Sequence, residues 1–318
     1  MDAADLQKLA QRTRSMREAG ITLVLASGFL ALFLFVPLSP AKTTPPTSGV
    51  GAPTESVGAD AFAQISVDAK AAIVYDLVTG ETLYAKNADA QLPLASLTKL
   101  LTVYAALSLL SPTTPITISA DAARVDSPRA FNVGQIFSLS DLARLTLTAS
   151  LNDGAAAIAE ATAARQHTSQ SAMLASAATS LGLSQTYAIN GSGLDVTTAV
   201  SGGYGSARDL AVLAGALVRQ APDIARATTA SSARAVSEGG TAFSVRNTDP
   251  MIATISGLLL SKTGYTDLAG GNLSIVFDAG INHPVAVVVL GSSQKARFTD
   301  STALIAATLA HFAGVASL

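Results

Sequence analysis

Residues 71–107 read AAIVYDLVTGETLYAKNADAQLPLASLTKLLTVYAAL, and the pattern changes period part-way along. The runs AAIVYD and ETLYAKN carry β-branched and aromatic residues on either side of a Thr79-Gly80 turn, which predicts a hairpin of two short strands. Beyond Pro93 the apolar positions Leu97, Leu100, Leu101, Val103, Tyr104, Ala105 and Leu107 leave almost no polar face. That spacing predicts a helix opened by Ser96 and buried on most sides.

Toward the C-terminus, residues 110–230 read mostly as helices, with Ala-rich stretches at 153–165, 171–181 and 206–219. After about residue 240 the texture returns to strands. MIATISGLLLSKTG, GNLSIVFDAG and HPVAVVVLGSS are apolar, β-branched runs bounded by Gly, Asn and Pro. A last helix is predicted over Ala296 to Phe312. Two early strands, a helical middle and three late strands imply a mixed α+β fold: one antiparallel five-stranded sheet flanked by helices, with a helical subdomain inserted. This domain is expected over residues 66–318.

Toward the N-terminus, Ile21 to Val36 (ITLVLASGFLALFLFV) contains no charge and, with its neighbours, reaches the length of one bilayer span. Lys8, Arg12, Arg14 and Arg17 precede it and only Lys42 follows closely, so the positive-inside rule places residues 1–19 in the cytoplasm, a signal-anchor at 20–38 in the membrane and the remainder outside. Cleavage is the competing reading, because Ser39-Pro40-Ala41 offers small residues before a cut and would release a secreted protein. Residues 39–65 are rich in Pro, Thr, Ser and Gly and read as a flexible linker.

Composition narrows the chemistry. The chain has 318 residues, 49% of them hydrophobic, a net charge of −2 and no cysteine. No basic block marks a nucleic-acid partner. His167, His283 and His311 show no close metal-ligand spacing, so with cysteine absent hydroxyl, amine and carboxylate groups are left to do any catalysis.

Three short motifs occur in order: Ser96-Leu97-Thr98-Lys99, Ser150-Leu151-Asn152 and Lys262-Thr263-Gly264. S-x-x-K is common, and Ser39 to Lys42 and Ser292 to Lys295 match it too. Only Ser96 sits at the start of a buried helix, where Lys99 falls on the same face one turn along. A serine hydroxyl needs a base to become a nucleophile. A desolvated Lys99 with a second cation such as Lys262 nearby is driven toward the free amine that can serve, and the backbone N–H of Ser96 is placed to face a developing oxyanion. Taken alone, the same motif fits an N-cap serine with a snorkelling lysine.

Ser150-Leu151-Asn152 precedes a helix start and fits both a cap and a site. In the second reading Ser150 relays a proton to a leaving amine, and the Asn152 amide orients substrate and Lys99. Lys262-Thr263-Gly264 ends an apolar strand. Gly264 would let a ligand backbone approach, Thr263 would donate a hydrogen bond and Lys262 would attract a carboxylate. It also fits a polar strand end entering a turn.

This motif set characterises penicillin-binding proteins and class A β-lactamases. The text around it resembles the serine-type D-alanyl-D-alanine carboxypeptidases, the low-molecular-mass penicillin-binding proteins, over nearly all of residues 70–312. The resemblance is carried by residues 71–107, NDGAAAIAE at 152–160, INGSGLDV at 189–196, YGSARDLA at 204–211, SKTGYTDLAGGNL at 261–273 and VVLGSSQKARFTD at 288–300. It implies a β-lactamase/DD-peptidase-like fold and an activity without metal or organic cofactor. Ser96 would attack the carbonyl of the penultimate D-Ala of a peptidoglycan stem peptide, the terminal D-Ala would leave, and water would hydrolyse the ester. β-Lactams would act as inhibitors. By the same resemblance, Tyr265 shares the oxyanion hole with Ser96, and Arg297 helps to hold the substrate carboxylate, where the residues alone allow a surface arginine starting a helix.

The chain departs from the family pattern at Leu151, where a small residue is usual, and at Leu260-Ser261, where glycines are frequent. Both changes are expected to narrow the cleft. The family's frequent C-terminal β-domain and amphipathic anchor do not follow the last helix, so the N-terminal span is expected to anchor the domain. Three alternatives share the fold: a DD-endopeptidase using the same residues, a class A-like β-lactamase, and an inactive wall-binding protein. The lactamase needs a glutamate downstream of the second motif, but between Ser150 and Glu238 only Glu160 occurs, within a helix.

Overall fold

The structure is a computed structural model that describes residues 60–314. The segments read as cytoplasmic N-terminus and membrane span, and most of the linker, lie outside the described residues. No helix among those described is long and apolar enough to cross a membrane.

The predicted hairpin forms from β1 (Ala71–Asp76) and β2 (Thr82–Lys86). Three late strands, β3 (Leu258–Thr266), β4 (Gly270–Asp278) and β5 (Pro284–Ser292), complete a five-stranded sheet in the order β3-β4-β5-β1-β2, with every pairing antiparallel. β1 thus joins the late strands through β5, with Ile73 opposite Val288.

The sheet is buried on both faces, and strand alternation divides its residues between two cores. Ala71, Ile73, Leu260, Val276, Ala286, Val288 and Leu290 face the helical body. Ala72, Val74, Leu273, Ile275, Phe277, Val285, Val287 and Val289 face the other way, onto Leu304, Ile305 and Ala307. Those three belong to the last helix, Ala296–Phe312, which has the predicted bounds.

The helical body contains α1 (Thr98–Leu109), α2 (Leu139–Ala149), α3 (Asn152–Arg165), α4 (Gln170–Ser180), α5 (Ala207–Gln220) and the short α6 (Pro222–Ala227); the last helix is α7. Ser138, Ser169 and Ser206 cap α2, α4 and α5 by accepting a backbone N–H three residues on. α5 packs on β1 and β5 and also touches α1, which ties the helical body to the sheet.

Three expectations change. Phe62, counted in the linker, is only 7% exposed and packs between Tyr84 and His311, so the folded unit includes residues before 66. Residues 110–138 form loops, short strands and a 3-10 turn instead of α-helix. The strand expected from Met251 starts only at Leu258, because Gly257 takes φ +68° and brings its backbone against Asp278.

Candidate active site

Ser96 lies one turn earlier than its helix. It is the middle residue of a 3-10 turn, Ala95–Leu97, that runs into α1. Ala95 is held at φ 47°, a conformation an L-residue adopts only when its surroundings impose it. The turn is wedged between two glycine backbones. A Cβ on Gly193 (φ +75°) would collide with Ala95 O, and a Cβ on Gly264 would sit 3.3 Å from the backbone nitrogens of Ser96 and Leu97. β3 therefore runs directly beside the Ser96 amide, as an oxyanion site between Ser96 and Tyr265 requires.

Lys99 is fully buried on α1, and its Nζ lies 2.7 Å from Ser96 Oγ, 2.7 Å from Asn152 Oδ1 and 2.8 Å from Ser192 O. Burial holds its pKa well below the ordinary lysine value, the neighbouring Lys262 lowers it further, and Asp153 opposes them. A free amine satisfies this geometry completely. Its two N–H groups donate to the two carbonyl oxygens, and its lone pair faces the Ser96 hydroxyl.

Asn152 opens α3, and its amide orientation is fixed by the Nδ2 bonds to Asp126 O (2.9 Å) and Ser127 O (3.0 Å). Ser150 sits at the α2–α3 junction with φ 58°, a left-handed C-cap that ends α2. Its Oγ accepts from Lys262 Nζ at 2.9 Å, and the same nitrogen donates to Thr263 O at 2.7 Å. Lys262 is 1% exposed; desolvation, helped by Arg297 and opposed by Asp249, pushes its pKa down to about 7. Thr263 is buried and shares a 2.6 Å hydroxyl contact with Thr248, whereas Tyr265 is exposed at the rim.

Arg297, at the start of α7, is 8% exposed instead of lying on the surface. Its Nη1 donates to Gly264 O at 2.6 Å, its guanidinium lies 4.7 Å from the Phe298 ring centroid, and its buried Nε has no protein partner. The structure thus gathers all nine sequence-predicted residues: Ser96, Lys99, Ser150, Asn152, Lys262, Thr263, Gly264, Tyr265 and Arg297.

The departures at Leu151 and Leu260-Ser261 do not narrow the cleft. Leu151 (4% exposed) and Leu260 (0%) pack into the helical core, and Ser261 donates to Asp249 Oδ2. Sequence reasoning missed the Ser192 carbonyl, the buried Asp153 carboxylate, which accepts from the backbone of Ala130 and Phe131, and Asp249. INGSGLDV pointed to the Ser192 neighbourhood; a backbone acceptor has no residue-type signature of its own.

Residues 58–294 match the family model described as D-alanyl-D-alanine carboxypeptidase, peptidase S11. The chain belongs to this family of serine peptidases. Similar members include a D-alanyl-D-alanine endopeptidase of Pseudomonas aeruginosa, 31% identical over 282 residues that span 86% of this chain and 85% of that protein. D-alanyl-D-alanine carboxypeptidase DacC of Escherichia coli is 29% identical over 299 residues, 88% of this chain and 67% of the relative. Among solved structures, penicillin-binding protein D2 of Listeria monocytogenes in its ampicillin-bound form superposes with a TM-score of 0.66 at 27% identity, covering 77% of this chain and 98% of that one. The β-lactamase/DD-peptidase-like fold implied by the resemblance is the fold observed.

Proposed function

We propose that this chain is a serine D-alanyl-D-alanine carboxypeptidase acting on peptidoglycan stem peptides through an ester on Ser96. The observation that carries this reading is the buried Lys99 amine 2.7 Å from Ser96 Oγ, a base and a nucleophile held in contact. Lys99 takes the hydroxyl proton as Oγ bonds to the carbonyl carbon of the penultimate D-Ala. The oxyanion is met by the Ser96 and Tyr265 backbone N–H groups, where a lost donor typically costs about 2.7–4 kcal/mol. The C–N bond then breaks, and the departing D-Ala amine receives a proton through Ser150, which Lys262 contacts. Water, deprotonated by the same machinery, hydrolyses the ester and restores Ser96. Lys262, Thr263 and Arg297 hold the substrate's terminal carboxylate.

β-Lactams enter as substrate mimics, and their ester is long-lived. Glu160 does not supply a deacylating base, since its carboxylate, carried on α3, is engaged by Ser119 Oγ. The test is intact-mass measurement of the purified full chain with labelled penicillin beside Ser96→Ala. A stable one-to-one adduct lost in the variant supports the reading. Rapid turnover without accumulation would favour a lactamase, and no adduct would favour a wall-binding protein.

An endopeptidase that cuts cross-links is the second reading, favoured by the Pseudomonas relative, which this chain matches over most of both lengths. Release of free D-alanine from a pentapeptide, set against cleavage of cross-linked dimers, separates the two. The charge asymmetry around residues 21–36 supports a single-pass anchor with the catalytic domain outside the cytoplasmic membrane. Protease accessibility in spheroplasts checks it, and recovery of the chain in the medium would point to cleavage.

A further inference from the structure

β3 carries Lys262, Thr263 and Gly264, yet it is the edge strand of the sheet, with ladder bonds to β4 on one side only. On such an edge the positions of catalytic side chains need fixing by other means. The segment Asn247-Thr248-Asp249 supplies them. Thr248 Oγ1 lies 2.6 Å from Thr263 Oγ1, and Asp249 accepts a short hydrogen bond from Ser261 Oγ, so the residues on either side of Lys262 are both tied to it. The segment is itself anchored: Asn247 Nδ2 donates to Thr228 O and Ala230 O, and Thr248 N–H donates to Thr148 O. Thr228 Oγ1 also accepts the Ser261 N–H, which joins the same anchor to β3.

Charge makes a separate demand. Lys262 and Arg297 are two buried cations that repel one another, and each burial disfavours charge. Lys262 also faces Ser150 from the α2–α3 junction and Lys99 from α1, and Lys99 is attracted in turn to Asp153 of α3. The carboxylate acting on both Lys262 and Arg297 is Asp249, 3% exposed.

We propose that Asp249, with Thr248, is a positioning residue of this site: the buried counter-charge and strand clamp that keep Lys262 charged and correctly placed for a substrate carboxylate. This rests on the acyl-enzyme reading above. Removing the charge in Asp249→Asn leaves an acceptor for Ser261 but lowers the pH at which Lys262 loses its proton.

The test compares the full chain with Asp249→Asn and Asp249→Glu, with rates expressed per penicillin-acylatable site, from pH 5 to 10. In Asp249→Asn the alkaline limb of kcat/KM moves down by about one pH unit, so KM at pH 8 rises about tenfold. Its kcat changes less than about threefold, and Asp249→Glu returns the limb toward its wild-type position. An unmoved limb, or a uniform loss of rate at every pH, overturns the proposal. If Asp249→Asn yields no acylatable protein, Thr248→Val decides: KM raised about fivefold with kcat kept supports the clamp, and a wild-type KM overturns it. A wild type that penicillin never acylates refutes instead the function on which the proposal rests.

Discussion

Asn152 Oδ1 accepts from Lys99 Nζ at 2.7 Å, and the other end of the same amide is locked by the Asp126 and Ser127 carbonyls, so Asn152 offers Lys99 an acceptor and no proton. The lone pair of a neutral Lys99 is thereby left to Ser96. Asn152→Asp would place a carboxylate at that position and favour the ammonium. Acylation by penicillin at pH 7 is expected to fall about a hundredfold, with its acid limb moved to higher pH. Stopped-flow acylation against pH measures both.

Lys262, pushed down to about 7 by desolvation, sets an alkaline limb of kcat/KM near that pH in the free enzyme. In kcat the limb moves upward, because a bound carboxylate stabilises the ammonium. Initial rates of D-alanine release between pH 5 and 10 show the two limbs separately.

The same shift enters stability with a definite sign. An unfolded lysine keeps its proton to about pH 10.4, whereas folded Lys262 releases its proton near 7. Between those values the unfolded chain binds more protons, so stability rises with pH. The melting temperature of the wild type, taken relative to Lys262→Met, is expected to climb from pH 7 to 10.

Gly193 has no room for a side chain against Ala95 O and holds φ +75°. Gly193→Ala should destabilise the fold by about 1–3 kcal/mol from backbone strain alone. Because the collision is with the turn carrying Ser96, acylation per folded molecule should fall as well. Melting temperature and acylation rate, measured together, distinguish a local effect from global unfolding.

Leu151 and Leu260 are core residues despite their places inside or beside catalytic motifs. Leu151→Ala and Leu260→Ala should each cost about 2–5 kcal/mol of stability, with kcat per acylatable site kept within about threefold. A large gain in activity from either truncation would mean that the side chain does obstruct the cleft after all.

Residue order and type determined a good deal about this protein. Apolar, β-branched runs bounded by turn residues delivered the first hairpin and the three late strands, the first of them from Leu258 on, because a strand buried on both faces leaves an unbroken apolar stretch in the sequence. Ser96 and Lys99 were legible together, since three positions on a helix are one turn in space. Other features existed only in the tertiary structure. Ser150 meets Lys262 across a separation of 112 residues, and β1 pairs with β5 although most of the chain lies between them. Ser192 contributes a backbone carbonyl, which every residue type possesses. Leu151 and Leu260 read as obstructions because their motif neighbours face the site, and burial turned them the other way. Asp249 lies in none of the three motifs, so nothing in the sequence singled it out. Its importance arises from desolvation, which makes two distant cations depend on one carboxylate, and desolvation belongs to the folded interior.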